Sequence, residues 1–419
     1  MRTWYRNLDA ISILAWIGLV LAGLVAIYSA THGPAAEVSA FEPEDNFAKQ
    51  LLWSGISVFG VLVALTLPVR FFQLAAFPVY VITTILLVVA LLIGREVNGA
   101  KSWIYFGNTG IQVSELAKVG TVMAVAQLVG IRRPKTMDLK FAFMLVALIL
   151  LPAALIVMQN DTGTALVFFG LIPVALFWSG IELNLLLIMI APAFAGYLAV
   201  VSEPVAFVFA VLFTAFIWWR TRDKRIAVVS VLLTAGVTAI TKFAITKVLS
   251  GYQLARVLSF TDPGAEEFRQ NVGFHQVNSM AAIGSGGLAG KGFLEGTQTQ
   301  GGFVMEQSTD FIFSVIGEEF GFIGSLVVLG LFAVLLIRLL TLGSNIKHPF
   351  GMMMAGGVTG VYLIHIFINI GMATSLLPVV GIPLPFISYG GSALLANSAL
   401  FAIVLSLHLR RDDFSIYGY

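Results

Sequence analysis

The sequence predicts an all-α fold, namely a polytopic bundle of transmembrane helices. Of the 419 residues, 58% are hydrophobic and 11% are charged, whereas a typical soluble protein carries about 25% charged residues. The mean hydropathy is +0.93, and apolar runs long enough to cross a bilayer recur along the chain. These observations exclude the soluble classes of protein. The net charge of +2 gives no reason to expect nucleic acid, and a chain without cysteine forms neither disulfides nor thiolate metal sites.

The first element is predicted to be a retained transmembrane helix. The chain opens with the basic segment MRTWYR, and an apolar run follows it. That run has about 20 residues, enough to span a bilayer. Because no convincing cleavage site follows, we interpret this segment as a first span and not as a signal peptide.

Apolar runs along the rest of the chain bring the predicted number of spans to about twelve. Each run is close to the ~17–25 residues that a transmembrane helix needs. The predicted spans are residues 9–30, 50–68, 71–93, 114–131, 139–158, 164–180, 183–201, 204–220, 226–248, 311–339, 350–374 and 393–409.

The basic residues predict the orientation of these spans, because Lys and Arg concentrate in short cytoplasmic loops. With Arg2 and Arg6 inside, nearly every even-numbered loop is basic, and the opposite loops, such as QNDTGT, are acidic or neutral. We therefore expect both termini in the cytoplasm and residues 249–310 outside. The other basic residues in this pattern are Arg70, Arg132, Arg133, Lys135, Lys140, Arg220, Arg222, Lys224, Arg225, Arg338, Lys347, Arg410 and Arg411.

Residues 249–310 form the only long polar segment of the chain. A loop much longer than ~15 residues without secondary structure of its own is usually functional or disordered. Disorder favours low hydrophobicity and high net charge, but five phenylalanines are spread along this segment. It also contains glycines, carboxylates, amides and the single lysine Lys291. We interpret it as the working part of the protein.

Ionisable residues within or beside the spans are the next candidates, because they are costly in a bilayer unless they face a cavity or a partner. Those near helix ends, such as Lys242, either serve a function or extend their charge to the interface. Glu115 and Lys118 are three residues apart and are expected to pair on one helical face. The complete set is Glu115, Lys118, Asp161, Lys242, Glu318, Glu319 and His365.

Five blocks of sequence resemble the SEDS (shape, elongation, division and sporulation) family, most closely its RodA branch, with FtsW as second choice. They occur in the order of that family, and each lies on the expected side of the membrane. The blocks are GAKSWI…QVSELAK (99–118), QNDTGTAL (159–166), AIGSGGLAGKGFLEGTQTQ (282–300), STDFIFSVIGEEFGFIG (308–324) and PVVGIPLPFISYGGSALLANSAL (378–400).

The resemblance implies a peptidoglycan glycosyltransferase that polymerises lipid II on the outer face of the bacterial cytoplasmic membrane, for cell elongation and rod shape. Residues 1–419 would form a single integral membrane domain with the catalytic loop 249–310. The implied partners are lipid II, a crosslinking class B penicillin-binding protein, other membrane proteins of the elongation machinery and membrane lipid.

Several positions depart from the family pattern. The family usually has proline where Val113 and Asn160 stand, Pro-Glu where Met305-Glu306 stands, and often histidine at Ser308. None of these changes removes a charged group that the chemistry needs. Residues 164–248 also contain four apolar runs where two are expected, so we predict an additional helix pair near residues 183–220.

Asp310 is the candidate general base. Glycosyl transfer from a lipid pyrophosphate needs a base for the acceptor hydroxyl and positive charge for the leaving group. At the outer start of the predicted 311–339 helix, Asp310 could instead be an N-terminal helix cap. The match to TDFIF, whose Asp is the proposed catalytic residue of the family, favours the base, and Thr309 could then serve as the cap.

The remaining candidates concern substrate binding. Lys101, Lys118, Lys291 and Arg256 could bind the pyrophosphate, since lysine is a common phosphate ligand, and the backbone of GSGGLAGKG could wrap a phosphate. Lys291 could equally be a solvated loop residue. Trp103 either stacks on a sugar or anchors at the membrane interface. The predicted substrate-binding set is Lys101, Trp103, Glu115, Lys118, Arg256, Lys291 and Glu306.

Asp161 and Glu318 are assigned supporting roles, and Glu318 is expected to buttress the fold. The segment 378–391 is expected to be a re-entrant or capping loop beside a protein cavity. No metal site is predicted from spacing, although a divalent cation, Mg²⁺ or Mn²⁺, could bridge the pyrophosphate.

Two other classes of function stay open at this stage. A lipid II flippase or other transporter would need a polar path across the whole bilayer, whereas the polar groups cluster on the outer side. The sequence also shows no internal repeat, which is unlike many transporters. A non-catalytic scaffold of the elongation machinery would leave the outer carboxylates and lysines without a purpose.

Overall fold

A computed structural model of the chain describes residues 8–32, 45–97, 99–107, 109–132, 139–248, 259, 265 and 273–411. The predictions made for Arg2, Arg6, Arg133, Lys135 and Arg256 fall outside these residues.

The described residues form fourteen α-helices, which confirms the predicted all-α membrane fold. Eleven are long and apolar enough to cross a bilayer, and Thr162–Trp178 is a shorter apolar helix of 17 residues, in agreement with about twelve spans. The helices are α1 (Ala10–His32), α2 (Asp45–Thr66), α3 (Val69–Ile93), α4 (Val113–Arg132), α5 (Leu139–Met158), α6 (Thr162–Trp178), α7 (Leu183–Val201), α8 (Glu203–Thr221), α9 (Lys224–Phe243), α10 (Phe274–Ser285), α11 (Ile312–Glu319), α12 (Gly321–Ser344), α13 (Pro349–Ala373) and α14 (Gly391–Leu409).

The chain divides into two compact units. The first comprises Met1–Ser179, Asn278–Ala373 and Val380–Tyr419. Its centre is formed by α4, α13 and α14, in which 83%, 78% and 89% of the most apolar window is buried. Small residues allow this close packing; a side chain added at Gly357 of α13, for example, would contact Val122 of α4.

The second unit comprises Gly180–Val277 and Thr374–Val379. Its helices α7, α8 and α9 pack on one another, and Gly196 of α7 lies against Val237 of α9. The most apolar windows of these helices are only 22%, 11% and 11% buried. Apolar faces with so little protein cover suit a lipid environment. The predicted additional helix pair corresponds to α7 and α8.

Three short strands lie where the sequence analysis expected a loop. β1 (Arg95–Val97), β2 (Ala100–Phe106) and β3 (Thr109–Gln112) form an antiparallel sheet in that order. Trp103 of β2 is paired with both Arg95 and Gln112. The sheet leads directly into α4, so it fixes the start of the helix that carries Glu115 and Lys118.

The predicted helix 311–339 is wrong in one respect, because it is two helices. α11 ends at Glu319, and α12 begins at Gly321, whose φ is +65°. A side chain at Gly321 would also collide with the backbone of Gly290. Only glycine fits this conformation and this approach without strain.

Side-chain contacts agree with the predicted alternation of spans. Asp9, at the start of α1, pairs with Arg338, which lies inside α12 and not in the loop to which we assigned it. The Arg410 side chain, just after α14, donates to the carbonyl of Leu65 near the end of α2. These contacts bring together helix ends that the topology places on one side. Which side is cytoplasmic stays a prediction.

Candidate active site

The segment that precedes α11 is held through its main chain. Tyr389 N–H donates to the carbonyl of Ser308 over 2.8 Å, and the Ser388 hydroxyl donates to the carbonyl of Thr309 over 2.6 Å. The Asn369 side-chain amide donates to the carbonyl of Asp310 over 2.9 Å. Three successive carbonyls are therefore fixed by α13 and by the loop between α13 and α14. Such support restricts where the Asp310 side chain can lie.

The Asp310 carboxyl lies beside the loop glycine Gly381. Asp310 is half-buried and Gly381 is exposed. A Cβ atom added to Gly381, whose φ is +71°, would be 3.2 Å from Asp310 Oδ2. The absence of a side chain at this position leaves room next to the carboxyl group.

Asp310 is not the helix cap that the alternative interpretation required. α11 begins at Ile312, its N-cap position is Phe311, and no side chain caps it. Thr309 is not the cap either, because it lies two residues before the N-cap position; its hydroxyl donates to Glu306 Oε2 over 2.9 Å. Glu306, at a φ of +52°, shapes the turn before Asp310.

Glu115 and Lys118 form the predicted ion pair inside α4. Lys118 Nζ lies 2.7 Å from Glu115 Oε2 and 2.7 Å from His365 Nε2 of α13. All three residues are about 1% exposed. The pairing prediction is thus confirmed. Lys118 is covered by protein, so an incoming phosphate has no direct path to its ammonium group in this conformation.

Asp161 caps α6, which agrees with its predicted supporting role. Its carboxylate accepts hydrogen bonds from Thr164 N–H, the Gln112 amide and the Ser114 hydroxyl, over 3.1, 3.0 and 3.0 Å. A Cβ atom added at Gly163, in the first turn of α6, would be 2.5 Å from the carbonyl of Val380. The start of α6 therefore abuts the loop that carries Gly381.

Lys291 and Glu318 form the Glu318 cluster together with residues 297–299. Lys291 Nζ donates to Glu318 Oε1, the Ser285 hydroxyl and the Thr297 hydroxyl, over 2.7, 2.7 and 2.6 Å. These three bonds use all three ammonium donors. A pyrophosphate would have to displace them; Lys291 holds the loop in this conformation, and its contact with substrate stays a prediction.

The carboxylate of Glu318 is saturated by donors. It accepts from the backbone N–H groups of Thr297, Gln298 and Thr299 over 2.8–2.9 Å. Burial would raise the pKa of Glu318, but the hydrogen bonds from Gln298, Lys291 and Thr299 outweigh it and lower the pKa to about 2. This agrees with the predicted buttressing role.

The glycine run around Gly290 packs against the carboxyl end of α11. The backbone N–H groups of Gly290, Lys291 and Gly292 are already bonded to the carbonyls of Gly286, Glu318 and Glu319. The last two bonds cover the carboxyl end of α11, whose carbonyls would otherwise lack partners. In this conformation these three amides are therefore occupied within the protein, and phosphate binding by GSGGLAGKG stays a prediction.

The remaining predicted site residues lie on the β-sheet. Lys101 is exposed, and its backbone N–H donates to the carbonyl of Gln159 over 2.9 Å. Trp103 is half-buried, with its ring centre 6.4 Å from that of Tyr105. Both remain predictions for substrate binding. Among the described residues, no group of three His, Cys, Asp or Glu side chains is placed to hold a metal ion.

Sequence reasoning missed two supporting side chains. Asn369 was not selected, and His365 was noted only as an ionisable residue within a span. They are four residues apart on α13, a spacing that places both on one helical face. Two buried polar groups on one face of an apolar helix indicate that the same neighbouring segment binds both of them. Here that segment is the backbone of Ile382 and Pro383.

The comparisons with known proteins agree on one family. The FtsW/RodA/SpoVE family of cell cycle proteins matches residues 9–228 and 204–413. The chain is 32% identical to peptidoglycan glycosyltransferase RodA of Treponema pallidum, covering 97% of this chain and 98% of that protein. It is 32% identical to peptidoglycan glycosyltransferase MrdB of Escherichia coli, covering 98% and 95%.

A solved structure supports the same relationship at the level of the fold. A chain from the structure of a peptidoglycan synthase complex that coordinates polymerisation and crosslinking superposes with a TM-score of 0.69. The two chains are 26% identical, and the match covers 96% of this chain and 98% of the other.

Proposed function

The chain belongs to the FtsW/RodA/SpoVE family, and on this premise we propose that it is a peptidoglycan glycosyltransferase that polymerises lipid II into glycan strands. The product serves cell elongation and rod shape. The observation that carries the proposal is the position of Asp310. Its own carbonyl and the two before it are held by hydrogen bonds, and its carboxyl group lies beside Gly381, which has no side chain.

Asp310 acts as the general base. Its carboxylate takes the proton of the acceptor sugar hydroxyl while that oxygen forms a bond to the anomeric carbon of the donor. The bond between the anomeric carbon and the pyrophosphate oxygen breaks, and the electron pair leaves with the lipid pyrophosphate. A half-buried site strengthens the attraction between the carboxylate and the developing positive charge.

Positive charge near the site offsets the charge of the leaving group. Lys118 contributes a buried charge held by Glu115 and His365. Exposed Lys101 is suited to direct contact with the pyrophosphate. Arg256, outside the described residues, is the other candidate. A divalent cation, Mg²⁺ or Mn²⁺, would supply further positive charge to the leaving pyrophosphate if it bound together with the substrate, since no group of three His, Cys, Asp or Glu side chains among the described residues is placed to hold it.

The enzyme works outside the cytoplasmic membrane with both termini in the cytoplasm, as the basic loops predict. Its proposed partner is a class B penicillin-binding protein, which crosslinks the new strands. The similarity to a chain of a synthase complex that coordinates polymerisation and crosslinking supports this pairing.

Reconstitution tests the proposal against transport. Purified protein in vesicles is supplied with lipid II, and glycan products and lipid II translocation are measured side by side, with Mg²⁺, with Mn²⁺ and with a chelator. We expect strand formation. Lys242→Gln is the control, because Lys242 forms an exposed ion pair with Glu203 in the second unit. Translocation without any polymerisation, with or without the partner protein, would contradict the proposed activity.

The orientation has its own test, which is simplified because the chain has no cysteine. A cysteine introduced at Thr221, at the end of α8, should resist an impermeant reagent added to intact cells. Ready labelling from outside would refute the predicted topology.

A further inference from the structure

Helix α13 carries two buried polar side chains on one face. His365 and Asn369 are four residues apart and are 1% and 0% exposed. α13 is otherwise an apolar span, where a buried polar group is costly unless it has partners. The partners of these two residues define what they do.

The hydrogen bonds of His365 fix its tautomer. Nδ1 lies 3.1 Å from the carbonyl oxygen of Pro383, and a carbonyl only accepts, so Nδ1 carries the proton. Nε2 is then the acceptor for Lys118 Nζ, 2.7 Å away. A neutral imidazole therefore joins the ammonium group of α4 to the loop backbone after α13.

Asn369 holds the adjacent carbonyl of the same loop. Its side-chain amide donates to the carbonyl of Ile382 over 2.7 Å and to that of Asp310 over 2.9 Å. Gly381, the residue before Ile382, is the one that lies against the Asp310 carboxyl. At one end, the backbone 381–383 thus contacts His365, which binds Lys118. At the other end, Gly381 lies beside the Asp310 carboxyl.

We infer that His365 is a positioning residue that couples the Glu115–Lys118 pair to Asp310 through the backbone of Gly381–Pro383. Lys118 is too deeply buried for direct contact with a substrate in this conformation. Its ammonium group instead helps to fix the position of the loop 381–383, through its hydrogen bond to His365. A displacement of Lys118 moves Pro383, and with it the glycine that faces the proposed base.

This inference rests on the proposed function for its activity measurement but also predicts a change in the loop itself. Three substitutions separate the two contacts of His365. His365→Asn keeps a donor near the position of Nδ1 and loses the acceptor for Lys118. His365→Gln keeps an acceptor near the position of Nε2 and loses the donor to Pro383. His365→Leu removes both.

Tyr362→Phe is the matched control. Tyr362 lies one turn away on the same helix, is fully buried, and donates its hydroxyl to the carbonyl of Asn397 over 2.6 Å. The substitution removes a buried hydrogen bond of α13 without touching Lys118 or the loop 381–383. A general loss of helix packing should affect this variant as much as the His365 variants.

We expect His365→Leu to lower kcat for polymerisation by about 10²-fold, the effect of a small misplacement of a reacting group, with little change in KM. Asn and Gln at this position should each give a smaller loss. Hydrogen exchange of the amides 380–388 should accelerate in the Leu and Gln variants and stay near that of the wild type in the Asn variant. Tyr362→Phe should change neither measurement.

A double-mutant cycle with Lys118→Met completes the test, because coupled residues give non-additive effects. The loss in the double variant should be close to that of Lys118→Met alone. The inference is overturned if the losses simply add, or if His365→Leu polymerises at the wild-type rate. If the wild-type protein does not polymerise lipid II, the proposed function fails, whereas the exchange measurements still decide whether His365 holds the loop.

Discussion

Asp310 precedes the short helix α11 and Glu318 lies in its last turn, and the described contacts hold the two residues by different groups. Glu318 is held through its side chain, which accepts three backbone N–H groups and a lysine. Asp310 is held through its main chain, at its own carbonyl and at the two before it. Glu318 is fully buried, whereas Asp310 is half-buried beside an exposed glycine.

The comparison contrasts a supporting carboxylate with the proposed base. With a pKa of about 2, Glu318 is too weak a base to take a proton from a sugar hydroxyl near neutral pH. Its donors also occupy the oxygen positions that a substrate would need. The described contacts of Asp310 fix its main chain at three successive carbonyls, and this positions its carboxyl group for the proposed proton transfer.

The largest expected effect follows from removing the base. Asp310→Asn should lower the polymerisation rate by about 10²–10⁴-fold, because the amide has nearly the same shape but cannot accept the proton. The melting temperature and the binding of lipid II should stay near those of the wild type. A stable Asp310→Asn protein that polymerises at the wild-type rate would end the assignment of this residue as the base.

The space beside Asp310 provides the next prediction. Gly381→Ala places a Cβ atom 3.2 Å from Asp310 Oδ2 and puts alanine at a φ of +71°. The strain of that conformation is about 1–2 kcal/mol, and the carboxyl must shift. We expect a fall in kcat greater than the fall in stability. Gly330→Ala, where a side chain meets open space in α12, is the control and should leave both quantities unchanged.

A substitution of Glu318 should lower the stability of the protein more than its activity. Glu318→Gln leaves Lys291 without its carboxylate and presents an amide to backbone donors, so stability should fall by about 3 kcal/mol. Activity per folded molecule should change far less than in Asp310→Asn. Melting curves and assays on the purified folded fraction measure the two separately. A stable but inactive Glu318→Gln would reverse the comparison.

The pH dependence of stability should also report on Glu318. Its pKa in the folded protein is about 2, below the ordinary value of 4.5. The stability it contributes is therefore fully present above about pH 4.5 and is lost as the pH falls from there towards 2. Melting temperatures of the wild type should decline over this interval more steeply than those of Glu318→Gln. Parallel profiles would contradict the assignment.

The smallest effect is expected at the neighbouring Glu319. Burial raises the pKa of Glu319, although hydrogen bonds from Ser29 and Gln300 oppose the shift. Its contribution to stability is therefore lost as the pH rises from about 4.5 through the raised pKa. Glu319→Gln resembles the protonated acid and should alter stability at neutral pH by less than about 1 kcal/mol. A large loss would show that the ionised form is needed.

Much of the fold could be predicted because the bilayer imposes it. The length and composition of most apolar runs set the spans to within a few residues, the run 311–339 being the exception because the span there is Gly321–Ser344. The i, i+3 spacing of Glu115 and Lys118 was enough to predict their pairing. The sheet was missed, although Gly107-Asn108 between two apolar runs is a hairpin signal. That signal is weak in a chain where most segments are apolar.

The site could be predicted only in part because its contacts join distant segments. Asp310 stood out by its sequence block, but Asn369, which holds its carbonyl, follows it by 59 residues, and Ser388, which holds the carbonyl of Thr309, follows Thr309 by 79 residues. The glycine run looked like a phosphate loop, since the sequence does not show that its amides meet the end of α11. The break at Gly321 was hidden for a similar reason, as one glycine in an apolar run carries no sign of its φ angle.

The uneven burial of the helices has a consequence for how such a sequence evolves. In α8 and α9 only 11% of the apolar window is buried, against 89% in α14. A side chain that faces lipid needs only to be apolar, whereas one in a packed interior must also match its neighbours in shape. Substitutions should therefore accumulate faster along α8 and α9 than along α14. Selection acts on the lipid-facing positions of these helices through hydropathy, so drift there changes the sequence while leaving the architecture intact.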